Sequence, residues 1–253
     1  MKKLVVVADD FGLTRSVNAG IVKAYTQGLV TEISFMVLSA ESDNAVELIK
    51  QHALKRVGIH TMLLPWTKNQ RPKRQNYVDL FRNSTFEQIE KLARKELIRF
   101  EEIVGQKPTH ICPQWGLHGN LKLLNFIIKY AVKNNIPVRL PLSNLEVDEI
   151  PDQNYAAEIM MRREKVKTTN YLFSHILGSD SVKIKDDFLH DLSRVKDGES
   201  AEILLHPGFL DLDLLKHSSL RYERARDMSI AQDKDFRTKI ETLGFEIVDY
   251  SKI

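Results

Sequence analysis

The amino-acid sequence predicts an α/β fold built on a parallel sheet, and three observations lead to it. Short apolar runs alternate with segments of helical periodicity along most of the 253 residues, a rhythm typical of parallel strands joined by helices. Hydrophobic residues make up 43% of the chain, enough for a sizeable core. No repeat, low-complexity tract or linker divides the sequence. We therefore expect one domain over residues 1–253, closed or nearly closed into a barrel.

Strands are predicted where apolar, often β-branched residues form short runs. These runs lie at residues 3–8, 30–38, 56–60, 108–112, 137–140, 169–173, 202–206 and 245–248. Helices are predicted where apolar residues recur every three or four positions. These segments lie at residues 15–27, 42–53, 85–104, 120–134, 183–195 and 233–243.

The first helix has clear end signals, whereas two later stretches have none. Thr14 stands where an N-cap is expected, and Gly28 where a glycine ends a helix. Residues 61–84 contain no clear element, and residues 141–168 are polar, with a short helix expected near 153–163. Loops of this length in a compact domain are usually functional or mobile.

Composition excludes several classes of function. The net charge of +3 is too small to indicate nucleic-acid binding, and no apolar run approaches the length of a membrane span. The first residues lead directly into a strand, so no signal peptide is expected. The single cysteine, Cys112, excludes an internal disulfide and is typical of a reducing cytoplasm. We expect a cytoplasmic protein that binds neither nucleic acid nor membrane.

Two adjacent carboxylates, Asp9 and Asp10, end the first predicted strand, and a Phe-Gly turn follows them. The carboxyl ends of parallel strands are where catalytic groups gather in α/β folds. Neighbouring buried acids repel each other unless a cation or a proton offsets their charge. Capping of the turn is the alternative, but it requires only one acid. The pair therefore indicates a metal ion with a general base beside it.

Histidines mark other predicted strand ends. His60 ends the third run, His110 and His118 bracket the fourth, and His206 ends the run at 202–206 before a Pro-Gly turn. A single histidine beside a strand is commonly a hydrogen-bonded core or surface residue. Acids and imidazoles at several strand ends instead indicate a mononuclear metal site with an acid and a base.

Six segments of the chain resemble a known family. They are Ala8-Asp-Asp-Phe-Gly-Leu13 with Asn18 in the next helix, Gly28-Leu-Val-Thr31, Val57-Gly-Ile-His60, Lys107-Pro-Thr-His110, Ile136-Pro-Val-Arg139 and His206-Pro-Gly208. In their order and spacing the chain resembles the YdjC-like carbohydrate deacetylases, the group that contains chitooligosaccharide deacetylases. The resemblance implies a distorted (β/α) barrel of about seven to eight parallel strands. It also implies removal of N-acetyl groups from acetylated amino sugars.

The resemblance implies roles for individual residues as well. Asp9 is expected to act as the base, and Asp10 with two histidines would bind the metal. We expect His60 to be the first of these histidines and His206 to protonate the leaving amine. Arg139 would order an acid or a substrate hydroxyl, and a salt bridge at the edge of the core is its alternative.

The fourth segment departs from the family pattern. The family reads Thr-His-Leu-Asp-Ser-His-x-His-x-His, whereas this chain reads Thr109-His-Ile-Cys-Pro-Gln-Trp-Gly-Leu-His118. Gln114 stands where the second ligand histidine is expected, Cys112 replaces the aspartate, and Gly116 replaces the middle histidine. An amide oxygen suits Mg²⁺ but binds Zn²⁺ less well than an imidazole. We therefore expect a divalent ion, Mg²⁺ or Zn²⁺, that is weakly bound. The expected ligands are Asp10, His60 and Gln114.

Other residues near this segment have two interpretations each. Cys112 is either a thiolate ligand or a small buried hydrophobic residue, and Trp115 either stacks on a sugar or packs in a lid. We expect Trp115, His118 and Arg139 to contact the substrate, and His118 could instead swing towards the metal. The basic segment 68–74 either holds a phosphate or is simply solvated.

Two functions remain open from the sequence. The first is a metal-dependent hydrolase that removes N-acetyl groups from amino sugars or chitooligosaccharides, with or without a phosphate. The second is a weakened or inactive family member that binds an acetylated or phosphorylated sugar, because Gln114 and Cys112 replace expected groups. In both, the partner is a small carbohydrate. The oligomeric state is left open, with a homodimer as one option.

Overall fold

The structure is a computed structural model that describes residues 1–141 and 151–253, with their side chains except those of residues 151–154 and 217. The strands are β1 Lys2–Phe11, β2 Glu32–Phe35, β3 Val57–Ile59, β4 Tyr171–Phe173, β5 Ser200–Leu205 and β6 Phe245–Ile247. The helices are α1 Arg15–Gln27, α2 Ser42–Gln51, α3 Arg74–Asn83, α4 Phe86–Val104, α5 Leu121–Asn134, α6 Pro151–Arg163, α7 Ser181–Ser193, α8 Leu212–His217, α9 Tyr222–Ala231 and α10 Lys234–Thr242. The 3₁₀ turns are Gln114–Gly119 and Tyr250–Lys252.

The sheet is parallel, with β1 at its centre. The strand order is β3-β2-β1-β5-β4, and β6 pairs with the first residues of β1. Side chains of β1 alternate between two cores, as the period of a strand requires. The even-numbered residues pack in the main core with the helices, whereas Val5 and Val7 pack with Tyr250. Asp9, two positions after Val7, continues this second row.

The predicted α/β organisation is confirmed, but two predicted strands are reduced to single bridging residues. Ile111 forms isolated bridges with Ile59 and with Val138, so the runs at 108–112 and 137–140 extend the sheet without forming ladders. A proline begins each run and another follows it directly, and proline has no N–H to donate to a ladder. Over the described residues the sheet therefore has six strands instead of seven or eight, and no ladder joins Val138 to β4. These prolines are Pro108 and Pro113 for the first run, and Pro137 and Pro141 for the second.

The six predicted helices are present to within two residues at each end. Thr14 caps α1 by accepting from the N–H of Val17 at 3.2 Å. Gly28 is required by close packing, because a Cβ there would lie 2.4 Å from the carbonyl oxygen of Ala231.

Three helices were not predicted: α3, α8 and α9. The short helix expected near 153–163 is α6, whereas residues 142–150 of the polar stretch lie outside the described part of the chain. Among the described helices, none combines the length and the apolar character needed to cross a membrane.

Candidate active site

The carboxyl ends of the strands surround one cavity of about 190 Å³. Parallel strands end at the same edge of a sheet, which brings together residues that are far apart in sequence. Sites for drug-sized ligands typically have volumes of about 300–1,000 Å³. Because this cavity is smaller, it suits a small ligand or one end of a longer one. Every residue predicted to belong to the site lines it: Asp9, Asp10, His60, Gln114, Trp115, His118, Arg139 and His206.

A bulge in β1 turns both acids towards this cavity. Residues 8–11 of β1 span the same length as residues 33–35 of β2, so β1 contains one extra residue. Asp10 lies in the bulge with φ of 72°, a left-handed conformation that costs a non-glycine residue about 1–3 kcal/mol. In a regular strand Asp10 would point to the face opposite Asp9. The bulge re-aims its side chain, and strain of this kind is typical of functional sites.

Asp9 is held by a buried arginine. Nη1 and Nη2 of Arg139 donate to the two carboxylate oxygens of Asp9 at 2.5 and 3.0 Å, a bidentate pair. Nε of Arg139 donates to Glu202 at 2.5 Å. Burial raises the pKa of Asp9, but the charge and hydrogen bonds of Arg139, together with His60 and His206, outweigh burial and lower it to about 2. Asp9 is therefore ionised at neutral pH and fixed in orientation by its ion pair with Arg139. This contact is compatible with both predictions for Arg139, the ordering of an acid and a salt bridge.

Asp10 has a guanidinium partner of its own. Nη2 of Arg224 lies 2.5 Å from Oδ2 of Asp10, while Oδ1 lies 3.4 Å from Nε2 of His60. Burial raises the pKa of Asp10, but Arg224 and His60 hold it well below its usual value. Two adjacent carboxylates are thus both ionised, because each pairs with a different arginine.

His60 lies between the acids and Cys112. Its Nδ1 is 3.3 Å from Sγ of Cys112 and 3.9 Å from Oδ2 of Asp9. Burial lowers the pKa of His60, but Asp9, Cys112 and Asp10 raise it well above its usual value. Cys112 is fully buried, and burial raises the pKa of its thiol. Of its two predicted interpretations, these surroundings favour the small buried residue over the thiolate ligand.

The donor atoms fit a divalent ion in part. Two ligands bonded to tetrahedral zinc at about 2.0–2.1 Å lie about 3.3 Å apart, which is close to the 3.4 Å between Oδ1 of Asp10 and Nε2 of His60. Ligand atoms of Asp9, His60 and Cys112 also lie within 4.8 Å of one another. Both oxygens of Asp9, however, already accept from Arg139. The Asp10–His60 pair is therefore the better foundation for a metal site, in which the ion would replace the proton that the raised pKa keeps on His60.

Gln114 is buried at the cavity wall and engages a neutral donor. Its Oε1 accepts from the hydroxyl of Tyr77 at 3.3 Å, a long hydrogen bond. Its backbone N–H donates to the carbonyl of Thr61 at 3.0 Å, which ties the segment to the loop after β3. Gln114 and the Asp10–His60 pair line the same cavity, and this shared lining is what relates the amide oxygen to the pair.

The 3₁₀ turn Gln114–Gly119 forms another wall. Trp115 adopts φ of 49° and Gly116 φ of 67°, so two successive residues are left-handed. Trp115 is 42% exposed and packs edge-on against Tyr77, with ring centroids 5.4 Å apart. An aromatic residue that is held in a strained conformation at a cavity mouth is placed to meet a ligand.

His118 lies beneath this turn and is fully buried. Its Nε2 donates to the carbonyl of Arg139 at 2.9 Å, while Nδ1 has no hydrogen-bond partner among the described residues. Burial lowers the pKa of His118 to about 4. The ring is therefore neutral, and Nδ1 is a buried acceptor without a partner among the described residues.

His206 is anchored by α9, one of the helices that were not predicted. Asp227 accepts from the backbone N–H of His206 at 2.7 Å, and Arg226 pairs with Asp227 at 2.7 Å. Burial lowers the pKa of His206, although Asp10 and Asp9 act in the opposite direction. A neutral imidazole is thus favoured at neutral pH.

The basic segment 68–74 is divided between two environments. Arg71 lines the cavity and lies over the ring of Trp66 at 4.3 Å. Lys68 points to Glu41, with 3.0 Å between the charged atoms, and is largely exposed. Arg71 therefore reaches the cavity, whereas Lys68 is exposed to solvent, as the second interpretation expects.

Sequence reasoning missed Glu202, Arg224 and Asp227. Glu202 carried a usable signal, because a charged residue inside an apolar strand is rarely buried without a partner. Arg224 and Asp227 stand three positions apart, which is helical spacing. Nothing near them in the sequence indicates contact with Asp10 or His206.

Several known proteins are similar to this chain over nearly its full length. The carbohydrate deacetylases of Clostridium beijerinckii and Brevibacillus brevis are 26% and 28% identical to it, over 99% of this chain and 100% and 99% of theirs. The chitooligosaccharide deacetylase of Yersinia enterocolitica is 26% identical over 99% of each chain.

Solved structures show the same fold. A protein of Enterococcus faecalis, to which cleavage of cellobiose phosphate has been ascribed, superposes with a TM-score of 0.77 at 23% identity, covering 99% of this chain and 98% of its own. A polysaccharide deacetylase of Bacillus cereus superposes with a TM-score of 0.50 at 14% identity, covering 99% and 92%. The family model described as YdjC-like protein matches residues 3–242. The chain therefore belongs to the YdjC-like protein family.

Proposed function

We propose that residues 1–253 form a single carbohydrate deacetylase domain, a metal-dependent hydrolase that removes N-acetyl groups from acetylated amino sugars or chitooligosaccharides. One observation carries this proposal: two ionised acids with separate arginine partners face one cavity together with His60 and His206. The names of the similar deacetylases support the same reaction. The buried thiol of Cys112 is compatible with the reducing cytoplasm in which we place the protein.

Asp10, His60 and Gln114 are the residues that would hold the metal. A bound Zn²⁺ or Mg²⁺ would polarise the acetyl carbonyl and lower the pKa of a water molecule. Because Gln114 contributes a neutral amide oxygen, we expect the ion to be held more weakly than by two histidines. Arg224 would keep Oδ2 of Asp10 occupied and leave Oδ1 directed at His60.

Asp9 takes the proton from the attacking water in this proposal. Its carboxylate is ionised over the whole physiological range, because its pKa is lowered to about 2. Such a low pKa makes Asp9 a weak base. Glu202 reduces the effect of Arg139 on Asp9, because Arg139 also donates to Glu202 and its charge is divided between the two carboxylates. Arg139 thus serves the reaction chiefly through Asp9.

His206 donates a proton to the leaving amine. Its position at the end of β5, in the same cavity as both acids, supports this role. Because burial lowers its pKa, the protonated form is populated mainly below neutral pH. We therefore expect the enzyme to work best at mildly acidic pH.

Substrate contacts come from the walls of the cavity. The exposed ring of Trp115 would stack on a sugar face, and His118 is a candidate for substrate contact because it lines the same cavity. Arg139 remains a candidate for substrate contact because it lines the cavity. If the sugar carries a phosphate, Arg71 is the residue of segment 68–74 that would meet it.

Metal content and acetate release test the proposal together. The purified protein should bind Zn²⁺ or Mg²⁺ and release acetate from an N-acetylated chitooligosaccharide. Asp9→Asn should retain the metal and lose rate by a factor of about 10²–10⁴, as expected for a general base. Asp10→Asn and His60→Ala should lose the metal, whereas the exposed control Asp43→Asn should change neither property.

The alternative, a protein that binds an acetylated or phosphorylated sugar without turning it over, is favoured by Gln114 and Cys112. No metal uptake at millimolar concentration, combined with sugar binding and no acetate release, would establish that alternative. If Asp9→Asn loses the metal while Asp10→Asn keeps it, the roles of the two acids are reversed.

A further inference from the structure

The segment that contains Val248 and Tyr250 packs against the face of β1 that carries Val5 and Val7. Tyr250 opens the 3₁₀ turn Tyr250–Lys252 and is fully buried. The N–H of Val248 donates to the carbonyl of Leu4 at 2.8 Å, which secures this segment to β1. Tyr250 then packs with Val5 and Val7, on the row of β1 side chains that continues to Asp9.

Tyr250 is the first member of a buried chain of hydrogen bonds that ends at Asp9. Its hydroxyl donates to Oε2 of Glu202. Oε1 of Glu202 accepts from Nε of Arg139 at 2.5 Å, and the two Nη atoms of Arg139 bind Asp9. None of these four side chains is more than 3% exposed, so water does not compete for their contacts.

Tyr250 itself is fixed from two other directions. Its backbone N–H donates to Glu32 at 2.9 Å, and its ring stacks on His110 with centroids 5.0 Å apart and planes 27° apart. A hydroxyl held in this way offers a fixed anchor for Glu202. Rotation of the Glu202 carboxylate would leave a buried oxygen without a donor, which is costly.

We infer that Tyr250 is a positioning residue for Asp9 and acts through Glu202 and Arg139. A guanidinium is planar, so an acceptor that fixes Nε also fixes the direction of Nη1 and Nη2. Glu202 can hold Nε in one place only while its other oxygen is bound by Tyr250. This inference rests on the proposed function, in which Asp9 acts as the base.

The test is Tyr250→Phe, which keeps the stacked ring and removes only the hydroxyl. We expect kcat for acetate release to fall about tenfold, a typical coupling within one hydrogen-bond network, while KM changes less than about twofold. The matched control is Tyr130→Phe, because the Tyr130 hydroxyl also donates to a glutamate, Glu101, at 2.6 Å, and neither of these residues lines the cavity. The control should leave both constants unchanged.

A second variant places the effect on the same chain of contacts. Glu202→Gln should lower kcat as Tyr250→Phe does, and the double variant should be little worse than either single one, because both changes disturb Arg139. Tyr130→Phe combined with Glu202→Gln should instead give the sum of its single effects. Additivity of Tyr250→Phe and Glu202→Gln would overturn the inference.

A measurement independent of activity separates this inference from the proposed function. The Nε–H of Arg139, identified in a ¹⁵N-¹H spectrum by its loss in Arg139→Lys, should shift in Tyr250→Phe and in Glu202→Gln but not in Tyr130→Phe. Such a shift in a protein that releases no acetate would support the positioning network and refute the proposed function. An unchanged signal in both variants would overturn the positioning role, whatever the activity.

Discussion

Arg224 and Asp10 form a buried ion pair across 214 positions of the sequence, with 2.5 Å between Nη2 and Oδ2. The contact joins α9 to the end of β1, and Arg224 is only 2% exposed. Its other terminal nitrogen, Nη1, has no hydrogen-bond partner among the described residues. Arg224 therefore neutralises Asp10 and also presents a donor within the cavity wall.

Arg224→Met should destabilise the protein strongly. Removing one member of a buried ion pair typically costs about 3–5 kcal/mol, because the other charge remains buried and unpaired. Urea unfolding measures this change in the free energy of unfolding. Arg94→Met is the control, because Arg94 pairs with Glu90 at the surface, where a pair is worth less than about 1 kcal/mol. The double variant Arg224→Met/Asp10→Asn should recover part of the loss; no recovery would mean that the ion pair is not the cause.

The residues at the strand ends could be predicted because their signals are local. Asp9, His60 and His206 each follow an apolar run directly, and parallel strands end at a common edge. Their convergence on one cavity follows from the strand pattern alone. Roles within the cavity depend on partners, and those partners lie elsewhere in the chain.

The helix α9 could not be predicted for a physical reason. It buries Arg224, Arg226 and Asp227 together with apolar residues, so its sequence shows no separate apolar and polar faces. Its charged residues resemble a solvated surface when read in order. Only the fold shows that they pair with strand-end groups on β1 and β5.

His118 predicts a pH dependence of stability. Its pKa is about 4 in the folded protein and about 6.5 when unfolded, so below pH 6.5 the unfolded chain binds a proton that the folded chain excludes. Stability should therefore fall as the pH drops from about 6.5 towards 4, by up to about 3 kcal/mol from this group. Urea unfolding across this range should show a shallower loss in His118→Gln than in the wild type. His52→Gln, at an exposed histidine, should leave the profile unchanged; an unaltered slope in His118→Gln would exclude His118 as its source.

The proposed role of His206 as general acid predicts how kcat changes with pH on the alkaline side of the profile. As a general acid it must be protonated, so kcat should fall as the pH rises through its pKa. Burial lowers that pKa, and the fall should begin below the usual value of about 6.5 for histidine. His206→Ala should retain substrate binding and reduce turnover. Unchanged turnover in this variant would remove His206 from the reaction.

The identity of residue 114 decides how tightly the metal is held. Gln114 offers an amide oxygen that accepts a long hydrogen bond from Tyr77, and a neutral imidazole binds Zn²⁺ much better than an amide oxygen does. Gln114→His should therefore raise the affinity for Zn²⁺ by more than about tenfold. Even residues that only hold a metal ligand in place typically change metal affinity by about tenfold or more, and a direct ligand should change it further. Isothermal titration measures the affinity, and Gln106→His, at an exposed glutamine, is the control for adventitious binding by an added histidine.

Activity of the Gln114→His variant distinguishes the two functions. In a weak deacetylase, tighter metal binding should raise acetate release from an N-acetylated chitooligosaccharide. In a protein that only binds sugar, the affinity for Zn²⁺ should rise while acetate release stays at background, because Cys112 and Gly116 also differ from the family pattern. If the affinity does not rise at all, the side chain of residue 114 does not face the Asp10–His60 pair, and the metal would have to take its remaining ligands from elsewhere in the cavity.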